Sequence, residues 1–251
     1  MKIFSFIFYI LLLICSPLYA QKEPIRIAVD SFDPPFVIAG ANKQLSGFDV
    51  AMMEHICRTL DRQCTFIPMH FDLIFNSLIT GKADVGVSGI TITAERAAQV
   101  HFSSAYLLSH VRFIGPLAIT ERPFSLETLH NCTIGVRKTA AFSDLFNTMG
   151  VKNAKLIAYN DIPSMIDALN KGKLDLALLD APSAIYWQAQ SSGKLSVWGE
   201  PLLFGYGFGI AVDPNKPELL QDINRALAIY HESEEFKSDY NKYISNFQPF
   251  N

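Results

Sequence analysis

Two aspartates, Asp30 and Asp33, follow the apolar segment Ile25–Val29, which we predict to be a β-strand. Two carboxylates three residues apart, beside aromatic neighbours, could receive a cationic group. An Asx turn before the Pro34–Pro35 pair explains either aspartate equally well. This first group therefore predicts either a cation-binding acid pair or an ordinary turn.

The segment from Ser88 to Arg96 combines hydroxyls, backbone N–H groups and a guanidinium directly after the predicted strand Ala83–Val87. Thr93 is the predicted N-cap of the helix that follows. Free N–H groups and a guanidinium together make a good carboxylate receptor, because they form charge-assisted hydrogen bonds. An arginine at a helix N-terminus is unfavourable for the helix dipole, which favours another role for Arg96. The alternative is a surface arginine beside an ordinary cap.

Asp180 lies beyond the apolar strand predicted for Leu174–Leu179 and immediately before a predicted helix at Ala181–Gln190. It is either the N-cap of that helix or an acid that faces a cleft. Aspartate is among the preferred capping residues, so spacing alone favours the cap.

The composition and the missing motifs exclude several classes of protein. The chain has 251 residues, 49% of them hydrophobic, with 19 Phe and 9 Tyr, so it can bury a large core. Its net charge of -3 argues against a nucleic-acid partner, which would require a basic surface. No P-loop or Rossmann glycine spacing occurs, and the six histidines show no metal-ligand spacing. We therefore expect no cofactor, no metal and no catalytic residue.

Two runs of alternating strands and helices are predicted, the first over about 25–100 and the second over about 132–190. Such runs imply sheets covered by helices. Extended segments at 106–114 and 205–212 would connect the two units, and helices near 218–231 and 234–246 would follow. The fold class is therefore α/β with two lobes. Ligands of such folds bind beyond the carboxyl ends of the strands, where the three polar groups lie.

The N-terminal segment Met1–Ala20 has the pattern of a secretory signal peptide that is cleaved after Ala20. An uncleaved anchor is the alternative, but the apolar run of about a dozen residues is shorter than the roughly 20 that span a bilayer. In an oxidising compartment Cys57 and Cys64, seven residues apart, could form a local disulfide. Cys132 is predicted to be a buried thiol.

Together these segments resemble the polar amino-acid-binding proteins of ABC importers, which include arginine, lysine/ornithine, histidine and glutamine binders. The similarity runs from about Ile25 to Phe247. It rests on five segments: Gly47–Val50, Gly89–Arg96, Phe102–Tyr106, Leu174–Asp180 and Gly205–Gly209. Cys57 and Cys64 also match a disulfide of the arginine and lysine/ornithine branch.

The resemblance implies a type II periplasmic-binding-protein fold, in which two extended hinge strands join the lobes. A signal peptide at 1–20 would precede lobe 1, which would comprise 21–110 and 205–251. Lobe 2 would comprise 111–204.

By the same resemblance, Arg96 would bind the ligand carboxylate with help from Thr91, and Asp180 would bind its ammonium. Phe71 would stack on the ligand side chain, and Asp30 would meet a cationic side-chain end. The full set of expected ligand-binding residues is Asp30, Asp33, Phe71, Ser88, Gly89, Thr91, Arg96, Ala141 and Asp180.

Two departures from the family pattern bear on the ligand. Asp33 stands where the family has Tyr or Phe, and Thr139-Ala140-Ala141 stands where it often has Gly-Thr-Thr or Gly-Ser-Thr. The more acidic pocket favours a cationic ligand, arginine first and then lysine or ornithine. We thus expect a monomeric periplasmic solute-binding protein, not an enzyme, that delivers its ligand to a membrane ABC permease.

Three alternatives remain open from the sequence. One is a binder of another polar amino acid, such as histidine or glutamine. Another is an enzyme on the same fold, similar to cyclohexadienyl dehydratase, with Asp30 and Asp33 as an acid/base pair. The third is a sensor module.

Overall fold

The computed structural model describes residues 22–42, 44–138 and 142–245. The predicted signal peptide at 1–20 and the predicted ligand residue Ala141 lie outside these ranges. The elements of the first part of the chain are β1 (Ile25–Asp30), β2 (Ile38–Ala39), β3 (Leu45–Ser46), α1 (Phe48–Thr59), β4 (Cys64–Met69), α2 (Phe71–Ile79), β5 (Val85–Val87), α3 (Ala94–Ala97), β6 (His101–Phe102) and β7 (His110–Pro116).

The second part of the chain repeats the alternation of strands and helices. Its elements are α4 (Leu117–Thr120), a 3-10 turn (Leu126–Leu129), β8 (Thr133–Arg137), α5 (Phe142–Thr148), β9 (Lys155–Tyr159), α6 (Ile162–Asn170), β10 (Leu176–Asp180), α7 (Ala181–Gln190), β11 (Leu195–Leu203), β12 (Ala211–Val212), α8 (Pro217–His231), α9 (Glu234–Asp239) and a π-helical turn (Tyr240–Ile244). The helix expected over 234–246 therefore changes to π-helical geometry after Asp239.

Two five-stranded sheets organise the molecule, which confirms the two-lobed α/β fold of type II. The first has the strand order β4-β1-β5-β12-β6 and the second the order β11-β7-β10-β8-β9. In each sheet three neighbouring strands are parallel, and the strands from the connecting segments join them antiparallel. The carboxyl ends of β1 and β5 thus lie at one edge of the first sheet, and those of β8 and β10 at one edge of the second.

Burial explains why these segments form these elements. Ile27, Ala28 and Val29 of β1 are completely buried, because this strand lies inside its sheet and helices cover both faces. Val50, Met53 and Cys57, which are spaced to share one face of α1, are also buried.

The two segments that connect the sheets are hydrogen-bonded to each other. Phe208 donates its N–H to the Leu107 carbonyl at 2.9 Å and accepts from the Tyr106 N–H at 2.8 Å. The strand predicted over 205–212 is wrong at its start, since only Ala211–Val212 forms a strand. Gly205 and Gly207 have φ values of +67° and +100°, which interrupt extended pairing.

The disulfide between Cys57 and Cys64 is present, with the two Cα atoms 5.8 Å apart. The prediction for Cys132 is wrong in part, because its thiol is only partly buried and donates a hydrogen bond to the Thr128 carbonyl at 3.0 Å. Among the residues described, no helix has both the length and the apolar character needed to cross a membrane.

Candidate functional site

Arg96 is fixed from two directions at the N-terminus of α3. Its backbone N–H donates to the Oγ1 of Thr93 at 3.3 Å, which confirms Thr93 as the N-cap. Its guanidinium donates to the Thr91 carbonyl at 2.8 Å and lies 5.4 Å from the ring centroids of Phe71 and Phe75. Burial lowers the pKa of Arg96 to about 10, so the side chain remains cationic at neutral pH.

The turn after β5 places Ser88 and Gly89 beside the end of β1. The Ser88 hydroxyl accepts a hydrogen bond from the Asp30 N–H at 2.8 Å. Gly89 has a φ of +53° and donates its N–H to the buried Asp49 carboxylate at 2.8 Å. The Gly89 N–H is therefore used within the protein, which leaves its carbonyl as the group that can face a ligand.

Thr91 lies on the same turn and is nearly completely buried. Its hydroxyl shares a hydrogen bond of 3.0 Å with the hydroxyl of Ser109, on the segment that leads into β7. Thr91 also forms an isolated bridge with Phe208 of the return segment. The residue predicted to help Arg96 is therefore held by both connecting segments.

Asp180 ends β10 and directly precedes α7, yet its side chain forms no capping hydrogen bond with that helix. The cap that spacing alone favours is therefore absent. Pro182, in the first turn of α7, has no N–H and so reduces the need for a capping acceptor. The pKa of Asp180 is raised to about 7. Burial is the main cause and the charge of Asp33 adds to it, while the charges of Arg137 and Arg96 oppose the rise.

These residues meet in a small cavity between the two sheets. Its volume is about 30 Å³. The lining residues come from both sides of the cleft: Phe71, Gly89, Arg96, Arg137, Ile162, Leu178, Leu179 and Asp180. The cleft therefore brings together the predicted carboxylate receptor and the predicted ammonium acceptor.

Arg137, at the end of β8, is the functional residue that the sequence analysis missed. Its side chain crosses the cleft and pairs with both predicted acids of the first sheet. The Nη1 atom donates to Asp33 at 3.0 Å, and the Nη2 atom donates to Asp30. The guanidinium carbon lies 4.3 Å from the ring centroid of Phe71, within cation–π range. The expected position of a ligand side chain thus holds a guanidinium of the protein itself.

When both aspartates are ionised, the acid pair carries one negative charge more than its guanidinium neutralises. Arg137 is only 9% exposed and Asp33 is completely buried. Burial raises the pKa of Asp30 to about 6, and the neighbouring Asp33 adds to the rise while Arg137 opposes it. Burial likewise raises the pKa of Asp33. Within the described residues, the Nε atom of Arg137 has no hydrogen-bond partner.

A sequence signal for Arg137 existed. It is a charged residue directly after an apolar run, as Asp30 and Asp180 are. The surplus of buried aspartates in the predicted pocket also called for a cation from the protein. The family resemblance instead points to the next residues of the loop, of which Ala141 lies outside the described residues.

The donor set does not indicate a metal centre. In the described ranges, no group of three or more His, Cys, Asp or Glu side chains is arranged to hold a metal ion. Asp30 and Asp33 already pair with a guanidinium. The roles of the nine predicted residues in ligand binding stay predictions.

Comparison with known proteins agrees with the fold. The ABC transporter arginine-binding protein 1 of Escherichia coli is 30% identical over 213 residues, 83% of this chain and 86% of that protein. The histidine-binding periplasmic protein of the same bacterium is 26% identical over 216 residues, 83% of each chain.

Among solved structures, an arginine 3rd transport system periplasmic binding protein from Legionella pneumophila superposes with a TM-score of 0.82. Its sequence is 29% identical, and the match covers 89% of this chain and 100% of that one. A family model for bacterial extracellular solute-binding proteins, family 3, matches residues 25–246. The chain therefore belongs to the bacterial extracellular solute-binding proteins, family 3.

Proposed function

We propose that this protein binds an L-α-amino acid in the interlobe cleft and delivers it to the permease of an ABC importer. The observation that carries the proposal is the placement of Arg96 and Asp180 around one cavity, each from a different sheet. A zwitterion that enters when the cleft opens would meet a cation for its carboxylate and an anion for its ammonium. Both pairs are needed, because a buried charge without a partner costs several kcal/mol.

The ligand that we propose first is arginine, followed by lysine and ornithine. Asp30, Asp33 and Phe71 form a subsite whose chemistry suits a guanidinium, since two carboxylates and an aromatic face surround one in this structure. The arginine-binding relatives support the same choice. The histidine-binding relative keeps histidine as a second candidate.

A catalytic role for Asp30 and Asp33 is disfavoured by the same geometry. A general acid or base must exchange its proton with the substrate, but both carboxylates are paired with Arg137. We therefore propose a non-enzymatic binding protein, exported to the periplasm after cleavage at Ala20 and acting as a monomer. Its lobes would comprise 21–110 with 205–251, and 111–204.

The test is calorimetric titration of the mature, ligand-stripped protein with arginine, lysine, ornithine, histidine, glutamine and citrulline. We expect saturable binding of arginine, weaker binding of lysine, and none of citrulline, whose long side chain would reach the two acids without a positive charge. Binding of glutamine alone would retain amino-acid capture but refute the cationic ligand. Turnover of prephenate or arogenate without binding of any amino acid would refute the binding function.

A further inference from the structure

We propose that Arg137 is a specificity-determining residue: a tethered guanidinium that competes with a cationic ligand side chain for Asp30, Asp33 and Phe71. This inference rests on the proposed function and refines it. The competition would weaken arginine binding, whereas an amino acid with a short side chain would leave Arg137 in place.

The first argument is occupancy. Arg137 lies over Phe71 with 4.3 Å between the guanidinium carbon and the ring centroid, and it contacts both acids. A second guanidinium cannot take the same position over the ring of Phe71 while Arg137 lies there and contacts both acids. A ligand guanidinium can therefore reach Asp30 and Asp33 only after Arg137 has left them.

The second argument is the direction of the contacts. The backbone of Arg137 belongs to the second sheet, where it pairs with Tyr159 of β9. The hydrogen bonds found for its guanidinium in the described residues all lead to Asp30, the last residue of β1, and to Asp33 just after it. Opening the cleft would therefore separate Arg137 from both acids and expose all three groups to water. Free arginine could then bind them before the lobes close.

The third argument is charge. With a short neutral side chain in the cleft, Arg137 returns on closure and neutralises one of the two buried aspartates. Without Arg137, closure on such a ligand would bury both carboxylates with no cationic partner, which is costly. Removal of this guanidinium should therefore strengthen the binding of arginine and weaken the binding of amino acids with short neutral side chains.

The experiment compares the wild-type protein with Arg137→Met, which keeps an unbranched side chain of similar reach and removes the charge. Calorimetry would measure the dissociation constants of arginine and serine. We expect arginine to bind roughly tenfold more tightly to the variant, because the ligand no longer has to displace the Arg137 guanidinium from the two acids. Serine should bind more weakly. Lys138→Met is the matched control: it removes a positive charge from the adjacent exposed residue and should change neither constant.

If Arg137 had only a structural role, its removal would weaken the binding of both ligands. That result in Arg137→Met would refute the inference. Arg137→Lys retains the positive charge. It should therefore bind serine more tightly than Arg137→Met does, and it should bind arginine no more tightly than the wild-type protein does. If neither the wild-type protein nor any folded variant binds an amino acid, the proposed function fails instead. Arginine binding that is unchanged or weaker in Arg137→Met, with the wild type still binding, refutes only the competition.

A measurement on the wild-type protein covers the case in which Arg137→Met does not fold. The side-chain Nε–H signal of Arg137 in an ¹⁵N-resolved NMR spectrum should carry a ring-current shift from Phe71. Added arginine should move this signal toward that of a solvated arginine, whereas added serine should leave it in place. A signal that arginine does not move would overturn the displacement.

Discussion

The Asp49 carboxylate in the first turn of α1 accepts a hydrogen bond of 2.8 Å from the N–H of Gly89, 40 residues further along the chain. This bond connects the helix to the turn that contains Ser88 and Thr91. Both groups are completely buried or nearly so, and burial raises the pKa of Asp49 to about 7. The turn therefore has a fixed conformation before any ligand arrives.

Replacing Gly89 with alanine should lower the free energy of unfolding by about 2–4 kcal/mol. Part of the loss is the left-handed backbone conformation, and part is overpacking. The new Cβ atom would lie 2.7 Å from the ring of Phe36. Gly81→Ala is the control, since Gly81 has a φ of +67° but no atom within 4 Å of the added carbon, and it should lose only about 1 kcal/mol. Urea unfolding would measure both, and equal losses would contradict the packing argument.

Arg96→Gln should weaken amino-acid binding by about 2–5 kcal/mol, which is roughly 30-fold or more. The glutamine removes the positive charge that we assign to the ligand carboxylate. Calorimetry with arginine would measure the change. The control is Glu95→Gln, which alters the neighbouring exposed residue and should leave the dissociation constant within the experimental error. A variant at position 96 that binds arginine as tightly as the wild-type protein would contradict the assignment.

Amino-acid affinity should fall when the pH is lowered from 8 to 6. Asp180 has a pKa raised to about 7 and accepts the ligand ammonium only when ionised. Ligand binding stabilises the ionised form, so affinity is full above the raised pKa and is lost as the pH falls through it. The loss over these two pH units should be roughly tenfold.

The matched variant for this pH series is Asp180→Asn, which cannot ionise. Its binding should be weaker throughout and nearly independent of pH between 6 and 8. A wild-type affinity that is flat over this range, or an Asp180→Asn variant that keeps the slope, would show that another group controls the pH dependence.

Replacing both Cys57 and Cys64 with alanine should lower the free energy of unfolding by roughly 2–3 kcal/mol, because the unfolded chain regains the entropy of a short closed loop. The bridge links the end of α1 to the start of β4, with a sequence separation of seven. Chemical denaturation would measure the loss. Cys132→Ala, which removes a partly buried thiol outside the bridge, should cost much less. Equal losses in the two variants would refute a specific effect of the disulfide.

The sequence predicts the bounds of several elements closely. The predicted helix at Ala181–Gln190 has the observed bounds of α7, and the predicted strand at Ile25–Val29 lacks only Asp30. The strand predicted from residue 205 starts six residues later, because glycines at positive φ interrupt it. A pattern of apolar residues does not reveal the backbone conformation of a glycine, so this error is expected.

The candidate site shows a different limit. Asp30, Asp180 and Arg96 can be chosen from the sequence because each follows a predicted strand or begins a helix. Arg137 also follows an apolar run, but it pairs with acids that lie 104 and 107 residues away, and an ionic contact over that separation leaves no periodic signal. The role of Arg137 depends on which residues the fold places across the cleft from it. The spacing of residues along the chain does not predict such contacts.

The position of β12 has a consequence for the order in which the chain can fold. All five strands of the second sheet come from one continuous stretch, 110–203, whereas the first sheet requires β12 to lie between β5 and β6. A chain that emerges N-terminus first from a membrane translocase can therefore complete the second sheet before β12 is available to pair with β6. The side of the cleft that contains Arg96 would be the last to be assembled, when the C-terminal segment arrives.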